Sequence, residues 1–345
     1  MNFEGVAARV ATDRFVSMPA PDAACCARYE ELMLGALSQM DAPTALRVAE
    51  RLAPCRAAPA RVLAGLIARG PEIAALVLAS APALPARLLL DRAVAGEACE
   101  AAAIAAREDI DRTIVGALAR RLEAEVLRAL AGNRSALIDR GALIALTQRA
   151  RVDLELGRLL LARGETALDR SALFLSADSA ARRRILLDAV RLNMSGARDP
   201  VGAFDAVLLD ALGAAEAGDL ARFCSIVARA LRVGRATVER LALDESGEPL
   251  ALIFAAMGLS ATESERPLLA LRRDLAAALA DPMSGLRLAL QAPPDAACAV
   301  IASLVPGKQL MTTNEYASAN PGARRQGGKA PAFAETATKR PINRA

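Results

Sequence analysis

Histidine and tryptophan are absent from the 345 residues, and tyrosine occurs only twice. Without an imidazole there is no Ser-His-Asp triad, no Cys-His dyad, no His-Glu zinc motif and no histidine general base. The six cysteines, at 25, 26, 55, 99, 224 and 298, include no C-x-x-C pair, so thiolate ligation of zinc lacks a framework. They are expected as small buried residues. Aromatics supply 3% of the chain, too few for the inward faces of a β-sandwich, and strand-like alternation is nearly missing. No charge-free apolar run reaches the roughly 18 residues of a membrane span. The longest, 73–86 and 249–262, are shorter, and Pro82 and Pro85 interrupt the first. No charged and then apolar leader opens the chain, so a cytoplasmic protein is expected.

Basic excess is also missing from most of the molecule. The formal charge is +4, but seven basic residues (Lys308, Arg324, Arg325, Lys329, Lys339, Arg340 and Arg344) follow residue 305 against only Glu315 and Glu335. The body before them is near neutral, whereas phosphate neutralisation by nucleic-acid binders needs a concentrated basic surface. All the lysines lie in that tail.

What is abundant is helical periodicity. Met33, Ala36, Leu37 and Met40 fall at i, i+3, i+4, i+7, as do Ala45, Val48, Ala49 and Leu52; such a stripe buries one face of a helix. The spacing returns at Phe204, Val207, Leu208 and Ala211, at Phe223, Ile226, Val227 and Ala230, and at Leu250, Ile253, Phe254 and Met257. Asp41, Asp139, Asp153, Asp219 and Ser246 stand at N-cap positions, while Gly70-Pro71, Gly164 and Gly258 stand where helices should stop.

A longer period overlies the helical one. Ile110-Asp111-Arg112, Ile138-Asp139-Arg140 and Leu168-Asp169-Arg170 recur at intervals of 28 and 30 residues, each opening a predicted helix: the apolar residue packs at the turn, Asp caps, and Arg projects from the first turn. Aligning the segment from Glu72 with that from Glu125 adds Leu84 as a degenerate instance. Units of two short helices cannot bury their faces alone and must stack on their neighbours. The expected fold is therefore all-α, a curved helical solenoid. Regular stacking would set Arg112, Arg140 and Arg170 in a ladder along one edge, bridging to acids of neighbouring units or facing a ligand groove; the bridge is the favoured reading.

The runs AAAIAAREDIDRTIVGAL, EAEVLRALAGNRSALIDRGALIAL and LLLARGETALDRSALFLS resemble the HEAT-like repeat proteins of alphaproteobacteria, a family labelled only as a domain of unknown function. The segment GDLARFCSIVARALRVGRATVERLALDESGEPLALIFAAMGL resembles the C-terminal portion of the same family, with its Ser-Gly-Glu turn before an apolar helix. The resemblance spans roughly residues 40–290. It implies a HEAT-like α-α superhelix and no active-site residue. The expected organisation is N-terminal helices over 1–40, HEAT-like repeats over 41–195, a C-terminal helical portion continuing the stack over 196–305, and a disordered basic tail over 306–345.

No catalytic residue, cofactor or metal is assigned. The tail run from Gly322 to Lys329 has the composition of a phosphate loop but not its spacing, and Ala330 stands where Ser or Thr would hold magnesium. Three arginine clusters remain: Arg120-Arg121, Arg182-Arg183-Arg184 and Arg272-Arg273. Adjacent arginines on a helix diverge by about 100°, so solvation is the plain reading. Arg182, Arg183 and Arg184, just after the helix start at Asp178 and Ser179, are the best candidates for an acidic partner. The expected function is a non-enzymatic protein-protein interaction scaffold or regulatory adaptor with a protein partner. The alternative is a nucleic-acid-binding repeat protein resembling the HEAT-like alkyl-base DNA glycosylases. The near-neutral body and scarce aromatics argue against nucleic acid.

Overall fold

The caps written into the sequence set where helices begin. The computed structural model describes residues 3–193, 207–231 and 233–304, all within one compact unit, and among them there is no strand. The tail 306–345 lies outside the described residues, as do Phe204 and most of the segment joining the repeats to the C-terminal portion. The first part runs α1 (Phe3–Val16), α2 (Ala23–Leu37), α3 (Ala42–Leu52), α4 (Ala60–Ile67), α5 (Pro71–Ser80) and α6 (Ala86–Ala95). It continues through α7 (Ala98–Ala105), α8 (Arg112–Leu118), α9 (Ala124–Gly132), α10 (Arg140–Ala150), α11 (Leu154–Arg163), a 3-10 segment Ser171–Ser176, and α12 (Ser179–Asn193). The carboxylates of Asp41, Asp111, Asp139 and Asp153 each accept from the backbone N–H three residues on, and Asp169 does the same for Ala172 at 3.3 Å. Each satisfies an N–H that the helix itself cannot.

Apolar stripes then decide the packing. In α3, Ala45, Val48, Ala49 and Leu52 are all buried; full burial of Val or Leu contributes about 1.5–3 kcal/mol per side chain. Helices pack on the next but one: α1 on α3, α3 on α5, α5 on α7, α7 on α9, α9 on α11, and α11 on the 3-10 segment. A second row is formed by α6 on α8, α8 on α10 and α10 on the 3-10 segment, with α2 on α4 before it. The N-terminal helices follow the same rule, and Thr12 bonds the Tyr29 hydroxyl at 2.9 Å while Tyr29 stacks on Phe15. Residues 3–40 are thus packed onto the following helices.

Arginines at helix ends stitch these rows together. Arg107, just beyond α7, donates to the carbonyls of Leu78 (2.7 Å) and Ala81 (3.1 Å) at the end of α5. Arg121, beyond α8, donates to Val94 and Gly96 (both 3.0 Å) at the end of α6. Asn133 at the end of α9 reaches Ala105 at the end of α7 (2.8 Å), and Arg163 at the end of α11 reaches Asn133 and Ala136 after α9. Carbonyl ends therefore lie side by side, so next-but-one helices run parallel. Parallel helices bring like dipole ends together, and a cation among unsatisfied carbonyls offsets both the repulsion and the missing donors. An acid two residues on holds the other side of each guanidinium: Asp109 for Arg107, Glu123 for Arg121, Glu165 for Arg163. Hydrogen bonds from Arg107 hold Asp109 below the usual carboxylate range, and those from Arg121 bring Glu123 down to about 2.

The C-terminal portion comprises α13 (Leu208–Glu216), α14 (Leu220–Leu231), α15 (Arg235–Ala242), α16 (Glu248–Ala256), α17 (Ala261–Leu271), α18 (Ala276–Ala280), α19 (Gly285–Leu290) and α20 (Pro294–Leu304). Every residue of α16 is buried. A helix apolar all round requires a partner on each side, and α15, α17, α19 and α20 supply them. The single stripe expected there, Leu250, Ile253, Phe254 and Met257, is one part of a fully enclosed helix. The Ser246 hydroxyl accepts from Glu248 N–H, but the N-cap position itself belongs to Gly247 at φ +70°. The expectation of buried cysteines holds only in part: Cys224 is buried, Cys25, Cys26, Cys55 and Cys298 are half-buried and Cys99 is exposed.

Candidate interaction edge

The same stitching places the recurrent arginines. Arg107 joins the turn after α7 to the turn after α5, Asn133 joins the turn after α9 to that after α7, and Arg163 joins the turn after α11 to that after α9. Four turns therefore run side by side, and each is followed within a few residues by an exposed arginine: Arg87, Arg112, Arg140 and Arg170. The turns that precede Arg112, Arg140 and Arg170 are joined side by side. The bridges favoured for them are not made: among the described residues none of the three is ion-paired. The acids beside them already have work, since Asp111, Asp139 and Asp169 cap backbone N–H groups and Asp109 and Glu165 hold the buried arginines.

Arg87 escaped the sequence reading because Pro replaces Asp at its N-cap. The pair Pro59-Ala60-Arg61 and Pro85-Ala86-Arg87, 26 residues apart, carries the signal; Pro fits a helix start, where its missing N–H has no bond to lose. Arg61 is exposed and pairs with Glu30 at 3.1 Å.

The three-arginine cluster divides. Arg182 is buried at 7% relative exposure, so it is corrected from a surface contact to an interior one. Its guanidinium lies over the Phe174 ring at 5.2 Å, donates to the carbonyls of Phe174, Leu175 and Ala177, and pairs with Asp244 (2.9 Å) and Glu248 (3.2 Å). Burial alone would raise the Asp244 carboxyl, but bonds from Arg182 and Ser246 outweigh it and hold Asp244 below the usual range. Burial of Glu248 prevails over the attraction of Arg182 and pushes its carboxyl up. Arg183 and Arg184 point outward and are exposed. The other clusters split likewise: Arg121 and Arg272 cap carbonyls while Arg120 and Arg273 are exposed.

The far ends of α6, α8 and α10 carry exposed apolar residues. Val94, Leu122 and Val152, again 28 and 30 residues apart, are 58%, 69% and 69% exposed. An open cleft of about 610 Å³ between α1 and α3 is lined by Val6, Arg9, Val10, Asp13, Arg47 and Arg51, with Asp13 and Arg51 paired across it at 3.0 Å. Among the described residues no group of three His, Cys, Asp or Glu side chains is placed to hold a metal ion, and no helix is long and apolar enough to cross a membrane.

Residues 73–204 match the model of a family described as an uncharacterised protein conserved in bacteria, DUF2336. The match covers α5 to α12, the stretch in which the four stitched turns and their arginines lie. None of the curated proteins and none of the solved structures matches the chain.

Proposed function

We propose that the protein is a non-enzymatic interaction scaffold or regulatory adaptor of the cytoplasm, built as a HEAT-like curved helical solenoid of alphaproteobacterial type, that works by presenting repeated surface residues to a protein partner. The observation that carries this reading is the division of labour among the arginines. Arg107, Arg121, Arg163 and Arg182 are enclosed and bonded within the fold, whereas Arg112, Arg140 and Arg170 recur at one place per repeat with no internal ion pair among the described residues. Next-but-one packing with parallel ends also supports the solenoid. Nucleic acid is the weaker reading, because the body is near neutral and Tyr29, the tyrosine available among the described residues for base stacking, is buried.

The test is capture from nuclease-treated bacterial lysate, followed by reconstitution with the purified partner. A defined protein that forms a stoichiometric complex with the chain is expected. Recovery of nucleic acid alone, lost steeply as salt rises, overturns the reading.

A further inference from the structure

Building on the scaffold reading, we infer that the edge bearing Arg87, Arg112, Arg140 and Arg170 receives an extended acidic segment of a protein partner, with one carboxylate for each arginine. The four arginines stand at the starts of α6, α8, α10 and the 3-10 segment, which pack on one another in that order, and the turns before them are stitched side by side. Packed helices lie about 8–10 Å apart, so the helix starts that carry these arginines recur at about that interval. A polyproline II segment has three residues per turn and rises about 3.1 Å per residue. Every third side chain therefore returns to the same face after about 9 Å, and an Asp or Glu at every third position meets successive arginines. A guanidinium engages a carboxylate through two parallel N–H bonds, which makes discrete, spaced carboxylates the complementary partner.

Charge along the edge selects the same ligand. The capping carboxylates of Asp111, Asp139 and Asp169 sit one residue before Arg112, Arg140 and Arg170, and Glu108 is exposed in the turn before α8. Positive charge is thus interrupted at each repeat, and a continuous polyphosphate would place negative charge against those carboxylates. One N–H at the start of α8, of α10 and of the 3-10 segment is taken by the aspartate cap, and among the described residues the unpaired guanidiniums are the charged donors left to bind.

A fluorescent peptide of four Glu-Pro-Pro repeats tests this by anisotropy against the full chain. The controls are an isomer with its glutamates contiguous, the Gln-Pro-Pro analogue, and a single-stranded oligonucleotide of equal charge. Saturable binding below about 1 mM at low salt is expected, at least about tenfold tighter than the contiguous isomer and weakened by physiological salt. The variant R112E/R140E/R170E, whose changes are exposed and put acids at helix starts where they are favoured, should lose at least about tenfold. R183E/R184E, a charge reversal elsewhere on the surface, should lose little. Equal binding of the contiguous isomer or oligonucleotide, no binding of the spaced peptide, or an unaffected triple variant overturns the inference. A partner captured equally by wild type and R112E/R140E/R170E would sink the edge while leaving the scaffold reading intact.

Discussion

Arg182 shows how much one residue's direction can change its meaning. Two carboxylates, Asp244 and Glu248, converge on this single guanidinium from more than sixty residues away, so the buried cluster carries one acid beyond what its arginine neutralises. The local backbone is shaped for it: a Cβ on Gly285 would lie 1.7 Å from Glu248 Oε1, and Gly247 at φ +70° faces Leu275 with no room for a side chain. The two acids should therefore respond differently to neutralisation. Asp244→Asn breaks the bidentate pair and leaves Arg182 to Glu248 alone, a loss of about 1.5–3 kcal/mol for the charged hydrogen bonds. Glu248→Gln keeps an acceptor and removes the surplus charge, and should lose less than about 1 kcal/mol near neutral pH. Their pH dependences have opposite signs. Asp244, held low, adds stability above the ordinary carboxylate range that is lost as pH falls through its folded pKa. Glu248, pushed up, favours the folded state in acid, and that contribution is lost as pH rises above its unfolded value of about 4.3 toward its folded one. Urea titrations from pH 4 to 7 should find E248Q gaining on the wild type as pH rises; a gap that widens the other way refutes this account of the cluster.

At the scale of helices, the sequence showed one half of the construction and hid the other. Apolar stripes and capping aspartates are local signals, confined to a few residues, and α3, α8, α10 and α11 begin where their caps indicate. Arg112, Arg140 and Arg170 were legible for the same reason, being tied to an adjacent aspartate cap. The capping arginines were not, because their partners are backbone carbonyls 25 to 32 residues away, and a carbonyl has no residue identity to recognise. The signal that could have found them is Arg-x-Asp or Arg-x-Glu just past a helix, as in Arg107-Glu108-Asp109, Arg121-Leu122-Glu123, Arg163-Gly164-Glu165 and Arg272-Arg273-Asp274. Arg272 follows the rule, donating to Ala242 and Asp244 at the end of α15 while Asp274 holds it. Arg163→Met should thus cost about 2–3 kcal/mol, since its charged hydrogen bonds to the carbonyls of Asn133 and Ala136 vanish, whereas Arg112→Ala should stay within about 0.5 kcal/mol. Equal losses in denaturant melts would mean that the stitching contributes nothing beyond ordinary surface charge.

For the whole molecule the question is whether next-but-one packing continues into an elongated array. In the first part the principal contacts join helices one or two places apart in the chain, as expected of a one-dimensional stack. The C-terminal portion departs from it, because α16 is enclosed on all sides and α20 packs back on α12 and the 3-10 segment. That difference was invisible in the stripe at Leu250, Ile253, Phe254 and Met257, which is common to a one-sided helix and an enclosed one; Ala251, Leu252, Ala255 and Ala256 between them hold the distinguishing information. The proposed solenoid, closed by such a cluster, should scatter as an elongated particle. A compact domain of about 300 residues has a radius of gyration near 19 Å, so a chain ending at residue 307 should give a clearly larger value in small-angle scattering and a pair-distance distribution with a long tail. Its circular dichroism should be that of a helical protein. A radius close to 19 Å with a symmetric distribution would refute the solenoid. It would also bend the four stitched turns out of a line, leaving no straight edge for an extended acidic segment to follow.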